Sequence, residues 1–164
     1  MKPKTIGATA AAVLATAVAG GAASGPAVAS PWYARLRKPN YQPPRQAFPV
    51  VWPLLYADIA VVSADTLDHL IDAGDTRAAR RFGAALAINL GLNASWSWIF
   101  FNRHRLGAAA LTAAALTVSS TDLTRRALAE RRQRAVPLAA YPAWCAFATV
   151  LSTHIWWINR RRLT

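Results

Sequence analysis

The chain of 164 residues is long enough for one domain, and its hydrophobic content of 54% is high for a soluble protein. Its net charge of +12 comes from cations clustered between uncharged segments, which is typical of loops flanking membrane helices and argues against a nucleic-acid partner. The single cysteine excludes an intramolecular disulfide, and the sequence contains no zinc-ligand spacing, phosphate-binding loop or hydrolase motif. We therefore predict an all-α integral membrane protein without a metal site or a required cofactor.

The first uncharged segment covers residues 5–34 and exceeds the ~20 residues that a helix needs to cross a bilayer. Its local features fit two interpretations equally well. Lysines before an apolar run that ends at Ala27-Val28-Ala29 are typical of a cleaved secretory signal, whereas several later spans favour a retained membrane helix. Its glycines provide small surfaces on which membrane helices approach closely. We predict a span over residues 5–29.

The next segment, residues 30–45, combines prolines, aromatic rings and cations, unlike a flexible linker rich in glycine and serine. We predict a rigid loop at the membrane surface. It leads into a second span over residues 46–68, where Phe48, Trp52 and Tyr56 recur every four residues and share one helix face. A belt of rings at the membrane interface is the simpler explanation for this stripe.

Acidic residues make the second span the weakest of the set. An ionised group at membrane depth costs about 2.5–3.5 kcal/mol on insertion scales, so Asp58 is expected to face the bundle interior, a partner or water. Our hypothesis is that Asp58 pairs with His154 or with a cationic group of a ligand. Residues 65–75 are interpreted as a helix end and a polar loop.

A third span is predicted over residues 80–102, which include an uncharged run of 21 residues between Arg81 and Arg103. On one face of this span lie Asn89, Asn93, Trp96 and Phe100. The two asparagines either link helices by hydrogen bonds or contact a ligand, and the pattern favours neither. An alanine-rich fourth span is predicted over residues 105–127, followed by an arginine-rich loop.

The fifth predicted span covers residues 135–159, and its uncharged run ends at three arginines, residues 160–162, predicted to anchor it at the membrane surface. Along one face it has Tyr141, Trp144, Ala148, Leu151 and His154. His154 is interpreted as a packing or interfacial residue, because no cysteine or second histidine has metal-binding spacing. Five spans place ten Lys and Arg on one side and nine on the other, so the positive-inside rule assigns no orientation.

Three spans with aromatic stripes, and a loop that covers one end of the space between them, predict an apolar cavity for a ligand. Core packing is the simpler explanation for any single ring, so the hypothesis depends on the three stripes occurring together. A flat hydrophobic molecule would stack on the rings, and Asn93 could bind one of its polar atoms.

The sequence resembles the tryptophan-rich sensory protein/translocator protein family, TspO/MBR. The resemblance lies in WYARLRKPNYQPP, FPVVWPLLY, NASWSWIFF, YPAWCAFATVL and IWWIN, in that order and spacing. It implies a bundle of five transmembrane helices, often a homodimer in the lipid bilayer, that binds porphyrins such as protoporphyrin IX and haem. It also implies that the first segment stays as a span.

Carried over residue by residue, the resemblance implies a ligand site with a covering loop. The implied residues are Trp32, Pro43, Pro44, Trp52, Tyr56, Asn93, Trp96, Phe100, Trp144, Phe147 and Ala148. The aromatic stripes add Phe48 and Leu151. Asp58 departs from the family pattern, where an apolar residue is usual, and the sterol-recognition pattern near the last helix is imperfect.

The first functional hypothesis is a porphyrin-binding membrane receptor or sensor that regulates tetrapyrrole or stress responses. The alternatives are an enzyme that degrades porphyrin with light or an oxidant, in which Trp52 and Trp144 would act, and a transporter of porphyrin or sterol-like ligands. The short, alanine- and arginine-rich chain favours a bacterial cytoplasmic membrane over a mitochondrial outer membrane.

Overall fold

The computed structural model describes residues 1–160, which form helices joined by turns and contain no strand. The α-helices are α1 (Pro3–Ala27), α2 (Pro31–Arg35), α3 (Phe48–Asp72), α4 (Thr76–Ser97), α5 (Leu106–Ala135) and α6 (Ala140–Asn159). Short 3-10 turns, Arg45–Ala47 and Val136–Ala139, lead into α3 and α6, and a π turn, Trp98–Asn102, follows α4. Of the predicted C-terminal arginine anchor, Arg161 and Arg162 lie outside the described residues.

Four stretches of the described chain are long and apolar enough to cross a membrane: Pro3–Ala27, Arg45–Asp72, Thr76–Asn102 and Leu106–Asn159. The last stretch has 54 residues, because it includes both α5 and α6 with only a short turn between them. Length and composition thus agree with an all-α membrane helix bundle, and the bilayer is its environment.

The ends of the helices follow from local sequence. Pro49 lies in the first turn of α3, where a missing amide donor costs nothing, although Pro53 removes one internal hydrogen bond. Gly74 adopts a φ of +75°, which only glycine tolerates readily, and it turns the chain from α3 toward α4. Asp75 then caps α4 by accepting a hydrogen bond from the amide of Ala78 at 2.8 Å.

Helix α3 continues to Asp72, so the interpretation of residues 65–75 as a helix end and a polar loop is wrong for residues 65–72 and correct only for the turn at residues 73–75. Asp65 and Asp68 lie within the helix and are only 9% and 6% exposed. Asp65 accepts hydrogen bonds from Arg131 at 3.1 Å and Arg134 at 2.8 Å, and Asp68 accepts one from the main-chain amide of Lys2. The two arginines compensate the carboxylate of Asp65. The amide of Lys2 binds one oxygen of Asp68, whose Oδ1 has no partner among the described residues. Partners of this kind allow the helix to continue past both carboxylates.

The π turn changes the direction of the side chains at the end of α4. The amide of Arg103 donates to the carbonyl of Trp98 at 3.0 Å, five residues earlier. Both Phe100 and Phe101 are buried, while the exposed Trp98 donates its Nε1–H to the carbonyl of Ala19 in α1 at 3.0 Å. His104, with a φ of 53°, completes the connection to α5.

The helices pack as a bundle in which α4 contacts α5, α5 contacts α6, and α1 lies against both α3 and α4. We call one end of the bundle the loop end; it holds residues 28–47, the π turn and the end of α6. The opposite, ion-paired end holds the N-terminus, the α3–α4 turn and the connection from α5 to α6. Each end has its own apolar core, which includes Phe82, Leu123 and Leu138 at the ion-paired end and Phe101, Leu106 and Ile155 at the loop end.

Candidate ligand-binding cavity

A cavity of about 800 Å³ lies between the helices, with residues of both apolar cores in its wall. Ten of the thirteen side chains predicted as ligand-binding line it: Phe48, Trp52, Tyr56, Asn93, Trp96, Phe100, Trp144, Phe147, Ala148 and Leu151. The three aromatic stripes of α3, α4 and α6 therefore face one shared space. Their contact with a ligand stays a prediction.

The other three predicted residues are absent from the cavity wall. Trp32 stacks on His104, with ring centroids 3.8 Å apart, and so fastens the loop to the α4–α5 turn. Pro43 is half-buried and Pro44 is exposed. Their neighbours in the loop line the cavity instead: Tyr33, Gln42, Arg45 and Gln46. The two prolines stiffen the loop, since each fixes its own φ, while adjacent side chains provide the inner surface.

The aromatic walls meet where α3 approaches α6. The rings of Trp52 and Trp144 are perpendicular, with centroids 6.5 Å apart. Trp52 also stacks on Tyr56 at 5.3 Å, and Phe48 meets Trp144 edge to face at 6.0 Å. Such edge and offset geometries stabilise aromatic pairs and leave ring faces available to a flat ligand.

A chain of polar side chains, which we call the polar floor, crosses the bundle beneath the rings. Tyr56 donates to Asn93 at 2.8 Å, Asn93 donates to Tyr141 at 3.2 Å, and Tyr141 donates to Asn89 at 2.8 Å. Asn89 then donates to Ser119 of α5 at 3.2 Å. The two asparagines thus link helices α3, α4, α5 and α6 by hydrogen bonds, which is the first of the two roles considered from the sequence. Asn93 also lines the cavity, and these bonds leave one of its amide hydrogens for a ligand.

Two polar atoms at the cavity have no hydrogen-bond partner among the described residues. They are the Nε1–H of Trp96, a donor, and the Oε1 of Gln42, an acceptor, and both atoms are buried. Leaving such groups unsatisfied costs about 1–3 kcal/mol each. A ligand with an acceptor near Trp96 and a donor near Gln42 would remove that cost.

Helix α1 forms a further wall of the cavity, which no motif or aromatic stripe in the sequence indicates. Its lining residues are small: Ala17, Gly20, Gly21, Ser24 and Gly25. At Gly20 a Cβ would lie 3.3 Å from the Oγ of Ser97, so glycine permits the close approach of α1 to α4. The sequence predicted close helix packing from these glycines, and the same lack of side chains leaves space for the cavity.

The cavity opens to the outside between α1 and the beginning of α3. Six lining residues are also exposed, and all lie on this side: Gly21, Gly25, Arg45, Gln46, Pro49 and Pro53. At Gly21 and Gly25 an added Cβ would meet nothing within 4 Å. We call this gap the side opening; its edges are the glycines of α1 and the prolines of α3.

Hydrogen bonds also fasten the loop to α6. The side chain of Asn159 accepts from the amide of Arg37 at 3.0 Å and donates to its carbonyl at 2.9 Å. The hydroxyl of Tyr41 lies 3.0 Å from Nδ1 of His154. Within the loop, Lys38 donates to the carbonyl of Tyr33, and burial lowers the pKa of its amine. The loop is therefore held on both sides of the cavity.

The hypothesis that Asp58 pairs with His154 is wrong, because Tyr41 is the partner of His154. Asp58 is half-buried, forms no ion pair within residues 1–160 and does not line the cavity there. A ligand in the cavity would therefore not contact its carboxylate.

The TspO/MBR family model matches residues 8–158 of this chain. The uncharacterized membrane protein YtaB of Bacillus subtilis is 33% identical over 123 residues, which cover 74% of this chain and 76% of the relative. Protein CrtK of Rhodobacter capsulatus is 31% identical over 128 residues, or 78% of each chain. The human translocator protein is 32% identical over 149 residues and 80% of each chain. The resemblance seen in the tryptophan motifs is confirmed, and the chain belongs to the TspO/MBR family of membrane proteins.

Proposed function

We propose that this protein is a membrane receptor or sensor that binds a porphyrin, such as protoporphyrin IX or haem, in the cavity between its helices. One observation carries the proposal: Trp52 and Trp144 meet at right angles inside a cavity of about 800 Å³. That volume lies within the ~300–1,000 Å³ typical of pockets for small molecules. Membership of the TspO/MBR family supports a sensor- or transporter-like role in a membrane.

In this proposal the chain crosses the bilayer five times, in a bacterial cytoplasmic membrane. The stretch Leu106–Asn159 would extend ~80 Å as one straight helix, against a hydrocarbon core of ~30 Å. The extensive packing of α6 against α5 supports a return through the membrane after residue 135. A homodimer would pair exposed apolar helix faces, which include Leu14, Val18, Leu111 and Val118.

A fluorescence titration tests the site. Purified protein in detergent is titrated with protoporphyrin IX in the dark, and quenching of tryptophan emission gives the Kd. Trp52→Ala and Trp144→Ala are each expected to weaken binding about tenfold or more, since a stacked ring contributes about 1–3 kcal/mol to binding aromatic ligands.

Trp157→Ala is the matched control, because this ring is 55% exposed and does not line the cavity. It should keep the wild-type Kd. Saturable binding that is unchanged by Trp52→Ala and Trp144→Ala would show that porphyrin binds elsewhere.

A second candidate function is light-dependent porphyrin degradation. The stacking of Trp52 on Tyr56 and the edge contact of Trp52 with Trp144 favour it, because they place oxidisable rings next to the ligand position. Illumination of the complex in air should then give a bilin-like absorption band that is lost in Trp52→Phe and Trp144→Phe. Bleaching at the rate of free porphyrin would exclude this activity.

A third candidate, transport, is suggested by the name of the mammalian relatives, translocator protein. Uptake of porphyrin by proteoliposomes tests it. Uptake equal to that of protein-free vesicles would exclude it without affecting the binding proposal.

A further inference from the structure

We infer that Arg45 binds an acidic substituent of the ligand, such as a porphyrin carboxylate, at the edge of the side opening. The inference rests on the proposed function and specifies the class of ligand: a flat apolar ring system with at least one acidic substituent. It assigns to Arg45 a role in specificity that neither the tryptophan motifs nor the aromatic stripes indicate.

The first step is the distribution of charge. The loop end holds Arg35, Arg37, Lys38, Arg45, Arg103 and Arg105, and Arg160 follows at the end of α6. Residues 28–57, 76–121 and 131–160 contain no Asp or Glu. Every carboxylate in an ion pair of the described chain, on Asp65, Asp72 or Asp122, lies away from this end. The described residues at the loop end therefore attract an approaching anion.

The second step separates Arg45 from the other cations. Lys38 already donates to the carbonyls of Tyr33 and Leu36 and lies over the ring of Tyr33, and Arg160 is stacked on Trp157 at 3.3 Å. The side chain of Arg45 has no hydrogen-bond or ion-pair partner within the described residues. Among the cations of residues 1–160, it is also the one that lines the cavity.

The third step is geometric. Arg45 is exposed as well as cavity-lining, so it stands where the cavity meets the surface. It directly precedes α3, which provides the rings of Phe48 and Trp52. A ligand stacked on these rings would have its edge at the side opening. A guanidinium there can bind a carboxylate through two parallel hydrogen bonds.

The fourth step is the character of the other polar groups. Deeper in the cavity, Trp96 has an unpartnered Nε1–H, and Asn93 retains an amide hydrogen. Both are donors, so they suit acceptor atoms of a ligand and cannot by themselves neutralise a negative charge. The side-chain carbonyl of Gln42 is an acceptor, so it suits an N–H or O–H group of the same ligand. The charged end of the ligand is therefore assigned to Arg45.

The test compares protoporphyrin IX, a dicarboxylic acid, with its dimethyl ester, which has the same ring system without charge. Wild-type protein should bind the diacid about tenfold more tightly than the diester, which corresponds to one partly exposed charge-assisted contact. Arg45→Gln should weaken diacid binding about tenfold and leave diester binding unchanged. Arg45→Lys, which keeps the charge without the planar fork, should give an intermediate Kd for the diacid.

Arg35→Gln is the matched control, since Arg35 is exposed at the same end but does not line the cavity. It should preserve the preference for the diacid. Circular dichroism and the thermal midpoint in detergent verify that each variant is folded. Raising the salt concentration should reduce the diacid preference of the wild type more than that of Arg45→Gln, which retains the other cations of the loop end.

The outcomes separate this inference from the proposed function. Equal affinity for diacid and diester in the wild type, with binding that still requires Trp52, overturns the anionic subsite and leaves porphyrin binding intact. A diacid preference that persists in Arg45→Gln also overturns the assignment. Failure of the wild type to bind either compound overturns the proposed function itself.

Discussion

The two ends of this helix bundle are held together by different interactions. At the ion-paired end, carboxylates of α3 and α5 form all five ion pairs of the described chain. At the loop end, the stacking of Trp32 on His104 and the hydrogen bonds of the loop with Asn159 and His154 hold the loop in place. The ion-paired end fills its interior with side chains, whereas the loop end leaves a cavity.

This difference between the two ends indicates that the ion-paired end mainly determines the stability of the bundle, whereas the loop end determines access of a ligand to the cavity. Ion pairs that are partly removed from water fix the distance between α3 and the end of α5, and the polar floor extends that fixed region to the middle of the bundle. Above the polar floor, stacking and hydrogen bonds of single side chains hold the loop, so we expect opening of the loop to cost less free energy than unfolding of the helices. Variants at each end should therefore affect different measurements.

The largest effect is expected from Asp65→Ala, which removes the carboxylate bound by Arg131 and Arg134. Breaking a buried pair costs about 3–5 kcal/mol, and the value here should be nearer 2–3 kcal/mol because the side chain of Arg134 is 65% exposed. Denaturant-induced unfolding in detergent measures this loss in the free energy of unfolding. Folded Asp65→Ala should keep the porphyrin Kd, and a large loss of affinity would contradict the separation of the two ends.

The next effect is kinetic and concerns the side opening. Gly21→Leu places a side chain in open space at its edge, so it should slow porphyrin association about tenfold while the thermal midpoint stays unchanged. Stopped-flow quenching of tryptophan emission measures the rate. Gly7→Leu is the control, since Gly7 has equal space on the same helix and does not line the cavity. Equal rates in both variants would place the entry route elsewhere.

A smaller kinetic effect is expected from Tyr41→Phe, which removes the hydrogen bond to His154 and retains the ring beside Phe147. One exposed hydrogen bond contributes about 0.5–1.5 kcal/mol, so ligand dissociation should accelerate about two- to tenfold. His154→Ala should have a similar effect, and the double variant should add nothing to it. Additive effects of the two substitutions would show that Tyr41 and His154 do not act through their shared hydrogen bond.

The smallest effect is expected from Lys2→Ala at the ion-paired end. The hydrogen bond to Asp72 raises the pKa of Lys2 above its ordinary value of 10.5. A raised pKa means that the stabilisation is complete below 10.5 and is lost as the pH rises through the folded value. The thermal midpoint of Lys2→Ala should therefore fall slightly below that of wild type at about pH 8, and the difference should vanish once the pH exceeds the pKa of Lys2 in the folded protein. A difference that persists there would indicate a packing role.

Much of the cavity could be predicted from the sequence, because its rings recur with helical spacing. Phe48, Trp52 and Tyr56 lie four residues apart, and a helix necessarily places them on one face. Asn89 and Asn93 share a face for the same reason, although only the structure shows that their partners are Tyr141 and Ser119. Periodicity identifies a face, and packing then determines what that face contacts.

Other features of the structure could not be predicted, because they depend on the absence of a side chain or on a partner that is distant in the sequence. Gly21 and Gly25 shape the wall through missing side chains, which give no chemical signal. Asp65 was assigned to a helix end because its partner Arg131 lies 66 residues away. Nothing in the sequence distinguishes Arg45 from the other cations of the loop, because its position at the cavity depends on the packing of the helices. Pro43 and Pro44 occupy the correct loop but point no ring or polar group into the cavity, which Gln42 and Arg45 line instead.

The π turn at residues 98–102 has a consequence for the length of the chain at this point. It accommodates one residue more than an α-helical turn of the same rise, so it is equivalent to a single-residue insertion within α4. Deleting one residue there would let the segment continue as an ordinary α-helix and keep the residues after it near their present positions. His104 could therefore still lie against Trp32, and the change in side-chain direction would be confined to residues 98–102. The π turn thus permits a difference of one residue in the length of the chain between Asn93 and His104.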